Sequence, residues 1–235
     1  MVKLGLDATF GSVLKHTETL TKEQENMNYD IGIIGGGIIG LATAMRFTQE
    51  HPSLKIVVME KETEVAQHQT GHNSGVIHAG IYYAPGSQKA NFCSEGSGIL
   101  REFCDERGIE YEMCGKLIVA INDSEIPRLE ELYRRGTANG ALGLELVGRE
   151  RLREIEPHSA GVKAIWSPNT GIIDFMKVSE AYANELRESG GDLMNNAEVK
   201  GITRATDTIN IETTAGDVAV KNLINCAGLH ADVVA

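Results

Sequence analysis

Three spaced glycines constrain this chain more than any other feature of its sequence. The apolar run 29–34 leads directly into Gly35, Gly37 and Gly40, and a segment with helical spacing of apolar residues follows over 38–50. A strand, a glycine turn and a helix in this order are typical of the phosphate-binding turn of dinucleotide-binding α/β proteins. In such a turn the first glycine permits the tight bend, the second leaves room for a pyrophosphate, and the third lets the helix pack against the strand.

A second apolar run, residues 54–59, ends at Glu60, twenty residues after Gly40. A carboxylate here is expected to accept hydrogen bonds from ribose hydroxyls and to repel a 2′-phosphate. The N–H groups and partial positive charge at the helix start suit a pyrophosphate. The alternative is a glycine-rich turn without a ligand, but the two strands and the acid favour a dinucleotide site. The predicted contacts here are Gly35, Gly36, Gly37, Ile38, Ile39, Gly40, Glu60 and Lys61.

Length and composition exclude several classes of function. The 235 residues carry a formal net charge of −11, which argues against general nucleic-acid binding because that needs a basic surface. No apolar run approaches the roughly 20 residues of a membrane span. The four cysteines form no CxxC pair, so no metal site is predicted.

A second glycine-rich segment identifies the type of dinucleotide. Residues 68–83 read HQTGHNSGVIHAGIYY, a polar stretch suited to a second loop around a cofactor. This block resembles FAD-dependent oxidoreductases of the D-amino-acid-oxidase superfamily, and the resemblance covers about residues 29–235. It is also carried by residues 114–120, 125–129, 170–174, 199–202 and 226–229.

The resemblance implies an α/β fold, with a Rossmann-like FAD-binding domain and an inserted α+β substrate domain. The FAD-binding domain is expected over 29–109 and 169–235, the substrate domain over 110–168, and an N-terminal extension over 1–28. Members of the superfamily continue well beyond residue 235, so the fold is expected to be incomplete at its C-terminus. Local patterns further predict a helix over 88–107, a helix capped by Ser124, and separate β-like runs at 217–220 and 222–226.

Within the superfamily, the chain is similar to members that oxidise L-2-hydroxyglutarate to 2-oxoglutarate by hydride transfer from C2 to flavin N5. The implied partners are a small 2-hydroxy dicarboxylate and an electron acceptor that the sequence does not identify. The alternatives are another oxidoreductase of the superfamily, acting on an amino acid or glycerol phosphate, or an inactive truncated binding module. A disulfide reductase is disfavoured because residues 61–92 contain no cysteine.

The same resemblance implies a mitochondrial location if the source is eukaryotic and a cytoplasmic one otherwise. Residues 1–28 contain acids and no arginine, which is atypical of a mitochondrial presequence.

The resemblance also assigns cofactor contacts outside the glycine turn. In the 68–83 block they are His72, Asn73, Ser74 and Gly75, which could instead bond to their own loop backbone. Later in the chain the predicted contacts are Val199, Ala227 and Gly228.

His78 and Tyr82 are the predicted catalytic residues. Alcohol oxidation removes a proton from oxygen, and a neutral imidazole suits that task. For His78 three roles stay open: general base, contact with or covalent attachment to the flavin, or a structural loop residue. Tyr82 and Tyr83 could line the same cavity or pack in a core. A dicarboxylate also needs cations, and the predicted insertion offers Lys116, Arg128, Arg149 and Arg151, most of them expected to be solvated.

Overall fold

The structure, a computed structural model, describes residues 28–235. The predicted N-terminal extension lies outside the described residues except for Asn28, which begins the first strand. Contacts divide the described residues into two compact units. Unit 1 comprises residues 28–72 and 179–235, and unit 2 comprises residues 73–178.

Unit 1 is built on a six-stranded sheet in the order β10-β11-β12-β1-β2-β9. Strand β1 pairs in parallel with both β2 and β12, and β2 pairs in parallel with β9, whereas β10, β11 and β12 pair antiparallel. The strands are β1 (Asn28–Ile34), β2 (Ile56–Met59), β9 (Asp192–Met194), β10 (Val199–Arg204), β11 (Ile209–Thr213) and β12 (Val218–Asn225).

Alternating apolar residues cover both faces of this sheet. Ile33 and Val58 face a cluster that includes residues of helices α1 (Ile38–Glu50) and α5 (Phe175–Glu188). Ile34 belongs to a second cluster together with residues of β2, β11 and β12. Because side chains alternate between the faces of a strand, near-continuous apolar runs are required when both faces are covered.

Unit 2 contains two small antiparallel sheets, in the orders β3-β8-β4 and β5-β7-β6. The strands are β3 (Val76–Ile77), β4 (Tyr111–Glu112), β5 (Lys116–Ala120), β6 (Glu145–Gly148), β7 (Lys163–Ser167) and β8 (Gly171–Ile173). The helices are α2 (Gln88–Arg107), α3 (Ile126–Ala138) and α4 (Arg149–Ile155). Ile165 packs with Leu129 of α3, and Ala164 packs with Leu152 of α4, so these helices cover β7.

The predicted α/β class is confirmed, because parallel strands and helices alternate around β1. Two local predictions are wrong. Helix α3 begins at Ile126, not after Ser124, because the Asn122 side chain caps a short 3-10 turn over residues 123–125. The two runs near the C-terminus are one strand, β12, which continues without interruption along β1. A short 3-10 turn and helix α6 (Ala231–Val234) follow β12.

Unit 2 lies in sequence between the two parts of unit 1. The bounds of unit 2 are defined by contacts between its residues, whereas the predicted domain over 110–168 was defined by an expected role in substrate binding. The functional assignment of these domains therefore stays a prediction.

Candidate functional site

The glycine turn of unit 1 is fixed by two close backbone approaches. Gly35 has a φ of +108°, and a Cβ placed on it would lie 2.4 Å from the carbonyl oxygen of Cys226. A Cβ on Gly40 would lie 2.0 Å from the carbonyl oxygen of Gly35. Glycine is therefore required at both positions, because the end of β12 and the first turn of α1 leave no room for a side chain.

Gly37 differs from its neighbours because nothing in the fold requires a glycine there. Its φ of −78° is accessible to any residue, and a Cβ would meet only the Thr70 hydroxyl oxygen, at 3.4 Å. Gly37 is the N-cap of α1 and has no side chain that could cap a helical N–H, and the first turn of α1 contains no acid. The missing side chain leaves a cradle beside a helix N-terminus, which fits a dinucleotide pyrophosphate.

One helical N–H already has a partner within the chain. The backbone N–H of Ile38 donates to the hydroxyl oxygen of Thr70 over 3.1 Å. Thr70 was not among the predicted contacts, although it lies inside the 68–83 block. The side chain of Ile39 is exposed.

Glu60 ties the glycine turn to the end of β2. Its carboxylate is buried and accepts the Gly36 N–H at 2.6 Å and the Glu62 N–H at 2.9 Å. A Cβ on Gly36 would lie 2.9 Å from the Glu60 Cβ, so Gly36 also has a steric reason to be glycine. The predicted contact between Glu60 and ribose stays a prediction, and the structure adds a second role for the same carboxylate.

His68, which begins the 68–83 segment in unit 1, contacts an acid and two other histidines. His68 Nε2 lies 2.8 Å from a carboxylate oxygen of Glu62, and His72 Nδ1 lies 2.9 Å from the His68 carbonyl oxygen. The hydrogen bond with His68, followed by that with Lys61, lowers the pKa of Glu62. The His68 and His230 rings meet edge to face, with centroids 6.1 Å apart. The Lys61 ammonium nitrogen lies 3.4 Å from a carboxylate oxygen of Glu62, so these two residues form an ion pair.

In unit 2, the next residues make local turn contacts. Asn73 Oδ1 accepts the Gly75 N–H at 2.7 Å, and the Gly75 carbonyl accepts the Ile173 N–H at 2.7 Å. The side chains of His72, Asn73 and Ser74 are exposed. Bonds to the loop backbone are present for His72 and Asn73, and the predicted cofactor contacts of these residues and of Ser74 stay predictions.

The remaining predicted contacts lie in unit 1. Ala227 is beside the glycine turn, because a Cβ on Gly35 would come within 3.2 Å of the Ala227 Cα. Gly228 has a φ of +57° and open space around its Cα. Val199 begins β10 next to an irregularity in its pairing with β11, and its side chain is half-buried.

His78 and Tyr82 share a small cavity of about 50 Å³ within unit 2, together with Tyr83, Lys116 and Thr170. The Lys116 ammonium lies 4.4 Å from the centroid of the Tyr82 ring. The pKa of His78 is lowered, first by desolvation of its partly covered ring and second by the positive charge of Lys116. The imidazole is therefore neutral near pH 7 and can accept a proton.

Contacts from helices α2 and α3 hold the loop that carries these residues. Asn139, at the end of α3, donates from Nδ2 to the carbonyl oxygens of Gly80 at 2.9 Å and Tyr83 at 3.0 Å. The Cys93 thiol of α2 lies 3.5 Å from the His78 carbonyl oxygen. Nothing in the local sequence identifies Asn139, because its partners lie 56 to 59 residues away.

A second, open cavity of unit 2 has a volume of about 680 Å³ and an acidic lining. Ser74 lines it together with Glu110, Glu112 and Asp174. Within residues 28–235, no three His, Cys, Asp or Glu side chains converge as a metal site would need, and no helix has the length and apolar character to cross a membrane.

Comparison with known proteins places this geometry in a family. The family profile of FAD dependent oxidoreductases, DAO, matches residues 30–235. Human mitochondrial L-2-hydroxyglutarate dehydrogenase is 45% identical over 224 residues, which cover 90% of this chain and 48% of the human protein. L-2-hydroxyglutarate dehydrogenase of the bacterium Indibacter alkaliphilus is 45% identical over 210 residues, covering 89% of this chain and 52% of that protein.

Among solved structures, FAD-bound L-alpha-glycerophosphate oxidase from Mycoplasma pneumoniae superposes with a TM-score of 0.80 and 29% identity, over 88% of this chain and 56% of that one. Glycine oxidase from Bacillus cereus shares the fold, with a TM-score of 0.70 and 22% identity over 86% of this chain and 56% of that one. The chain spans about half the length of the curated relatives it matches. With its glycine turn and nearly full-length profile match, the chain belongs to the DAO family of FAD-dependent oxidoreductases.

Proposed function

We propose that this chain takes part in the FAD-dependent oxidation of L-2-hydroxyglutarate to 2-oxoglutarate. The support comes from relatives of that name at 45% identity and from the neutral imidazole of His78 in a concave site. The bound flavin supplies the hydride acceptor, N5, for the hydrogen on C2 of the substrate. The His78 cavity carries the proposal, because an alcohol loses a proton as well as a hydride.

The chain's own residues divide into two tasks. Gly35, Gly37 and Gly40 leave the backbone open to the pyrophosphate, while Glu60 orients the turn and accepts from the ribose. His78 takes the hydroxyl proton onto an imidazole nitrogen, and Tyr82 forms one wall of the cavity beside it. The proton and the hydride thus leave the substrate by separate routes, and the alcohol becomes a ketone.

We propose further that residues 110–168 form the substrate side and that reducing equivalents pass to a separate acceptor of unidentified chemistry. We infer a mitochondrial location if the source is eukaryotic, since the animal relatives carry that word in their names. For a bacterial source we propose the cytoplasm.

The test is turnover with a dye as acceptor, by the flavin-loaded chain and by a flavin-loaded version extended to the length of the relatives. We expect the extended version to oxidise L-2-hydroxyglutarate and to leave D-2-hydroxyglutarate unchanged, and the 235-residue chain alone to turn over less. Replacement His78→Asn should lower kcat by roughly 100-fold or more, as loss of a general base does. The matched control His51→Asn changes an exposed imidazole just after α1, outside every predicted contact, and should retain wild-type kcat.

A rival substrate is L-alpha-glycerophosphate, favoured by the 29% identity and TM-score of 0.80 to the Mycoplasma oxidase. Preference for glycerol 3-phosphate or an amino acid in the same assay would overturn the assignment. Flavin retention without turnover of any of these substrates by the extended version would identify a binding module instead.

A further inference from the structure

Lys116 differs in burial and ion pairing from the other cations that were proposed to bind the substrate. It begins β5, is half-buried, and makes no ion pair within the described residues. Of the other cations proposed for the substrate, Arg128 and Arg149 are exposed, and Arg151 pairs with Glu154 at 2.9 Å. An ammonium without a counter-ion beside a cavity is free to pair with a bound anion.

The neighbours of Lys116 suit a carboxylate. Its ammonium lies 4.4 Å from the Tyr82 ring centroid, and the cavity beside it is also lined by His78 and Tyr83. The cavity has a volume of about 50 Å³, and because Lys116 and His78 both line it, a carboxylate bound at Lys116 lies near the imidazole. No carboxylate lines it, in contrast with the larger cavity lined by Glu110, Glu112 and Asp174.

We propose that Lys116 binds the distal carboxylate of a dicarboxylate substrate and thereby selects dicarboxylates over monocarboxylates. This inference rests on the proposed function, because it assigns one residue of that site to the second charge of the substrate. The acidic cavity cannot fulfil the role, since its carboxylates repel a dianion.

Binding at Lys116 also has a consequence for His78. The ammonium charge contributes to the low pKa of the imidazole. A substrate carboxylate that neutralises this charge raises the His78 pKa, which makes the imidazole a stronger base when the dicarboxylate is bound. Monocarboxylates lack the second charge, so their binding does not raise the His78 pKa through Lys116.

The test follows the His78 ring by NMR titration in the full 235-residue chain, with glutarate and butyrate as probes. Neither probe has a hydroxyl group, so no oxidation occurs. We expect glutarate to raise the His78 pKa and butyrate to have a much smaller effect. In Lys116→Met, the His78 pKa should be higher without any ligand, and glutarate binding should weaken roughly tenfold or more.

Two further variants serve as a control for charge removal and as a second test of Lys116. Lys163→Met removes an ammonium that lies on the neighbouring strand and pairs with Glu130, and it should respond to glutarate like the wild type. If Lys116→Met fails to fold, Lys116→Gln keeps a polar side chain and should give the same loss. A wild-type response to glutarate in a folded Lys116 variant overturns the proposal.

Failure of this inference is distinguishable from failure of the proposed function. If glutarate binds through Lys116 but L-2-hydroxyglutarate is not oxidised, the carboxylate site stands and the reaction is wrong. If the substrate is oxidised and Lys116→Met leaves both KM and glutarate binding unchanged, the reaction stands and the role of Lys116 is wrong.

Discussion

The glycine turn of unit 1 and the His78 loop of unit 2, residues 78–83, are held in place by different kinds of contact. In the turn, backbone meets backbone, as with Gly40 against the Gly35 carbonyl. In the loop, side chains hold the backbone, chiefly Asn139 through the Gly80 and Tyr83 carbonyls. The first arrangement allows a single residue type at each position, whereas the second could be built from many donors. Only the first therefore leaves a recognisable pattern in the sequence.

The two units nevertheless share one kind of contact, an asparagine side chain that donates to a loop carbonyl. Asn195 in unit 1 donates from Nδ2 to the Thr63 carbonyl at 3.0 Å, just as Asn139 donates in unit 2. In both asparagines, Oδ1 is buried without a hydrogen-bond partner. The same substitution, asparagine to aspartate, therefore removes a donor from each unit and allows the two contacts to be compared.

The largest expected effect contrasts two glycines of the turn. Gly40→Ala places a methyl group 2.0 Å from a carbonyl oxygen, so we expect a loss of about 3 kcal/mol or more in the free energy of unfolding. Gly37→Ala should keep the wild-type stability within about 1 kcal/mol but retain less FAD, because only the cradle is filled. Urea unfolding and the flavin-to-protein ratio after gel filtration measure the two effects. Equal stability of both variants would refute the backbone account of the turn.

The asparagine pair should give the next largest effect. Asn139→Asp turns a carboxylate toward two carbonyl oxygens, and we expect a loss of about 2–3 kcal/mol in the free energy of unfolding. Asn195→Asp opposes one carbonyl and should cost about 1–2 kcal/mol. Hydrogen exchange should accelerate around residues 78–83 in the first variant and around residues 60–63 in the second. Acceleration at the same amides in both variants would show that the two regions are not held separately.

Glu60→Gln probes the carboxylate that accepts the Gly36 N–H within the glycine turn. The neutral amide weakens a charge-assisted bond to the Gly36 N–H, and we expect a loss of about 1–2 kcal/mol in unfolding free energy together with poorer FAD retention. The control Glu62→Gln alters an acid paired at the surface with His68 and Lys61, so its cost should stay below about 1 kcal/mol. A larger loss for Glu62→Gln would contradict the structural role of Glu60.

The smallest effect concerns alkaline pH. Partial burial, followed by the hydrogen bond to Asp192, raises the pKa of Tyr29 to about 12. A folded-state pKa above the unfolded value stabilises the protein below about pH 10, and this contribution disappears as the pH rises through the folded-state value. Tyr29→Phe should therefore lose less stability than the wild type between about pH 9.5 and 11.5, as measured by urea unfolding across this range. Parallel pH curves for the two proteins would exclude a coupled Tyr29.

The sequence predicted the parts of the molecule in which local constraint is strong. The helix over 38–50 and the one over 88–107 match α1 and α2, because glycines and a serine cap mark their ends. The family resemblance carried by the 68–83 block is confirmed by the profile match over residues 30–235, whereas its role as a second loop around the cofactor stays a prediction. The site could not be predicted to the same depth, because Lys116 differs from Arg128 only by burial and Asn139 acts over long sequence separations.

The position of β1 between β2 and β12 governs the order in which this chain can fold during synthesis. Tyr29 pairs with Val220, so β1 leaves the ribosome long before its second neighbour exists. Unit 2 is complete in sequence at residue 178 and can form its own contacts in the interval. During that time one edge of β1 stays open to pairing with other nascent chains. The speed of translation from the end of β1 through residue 225 therefore sets how long each new molecule is exposed to aggregation.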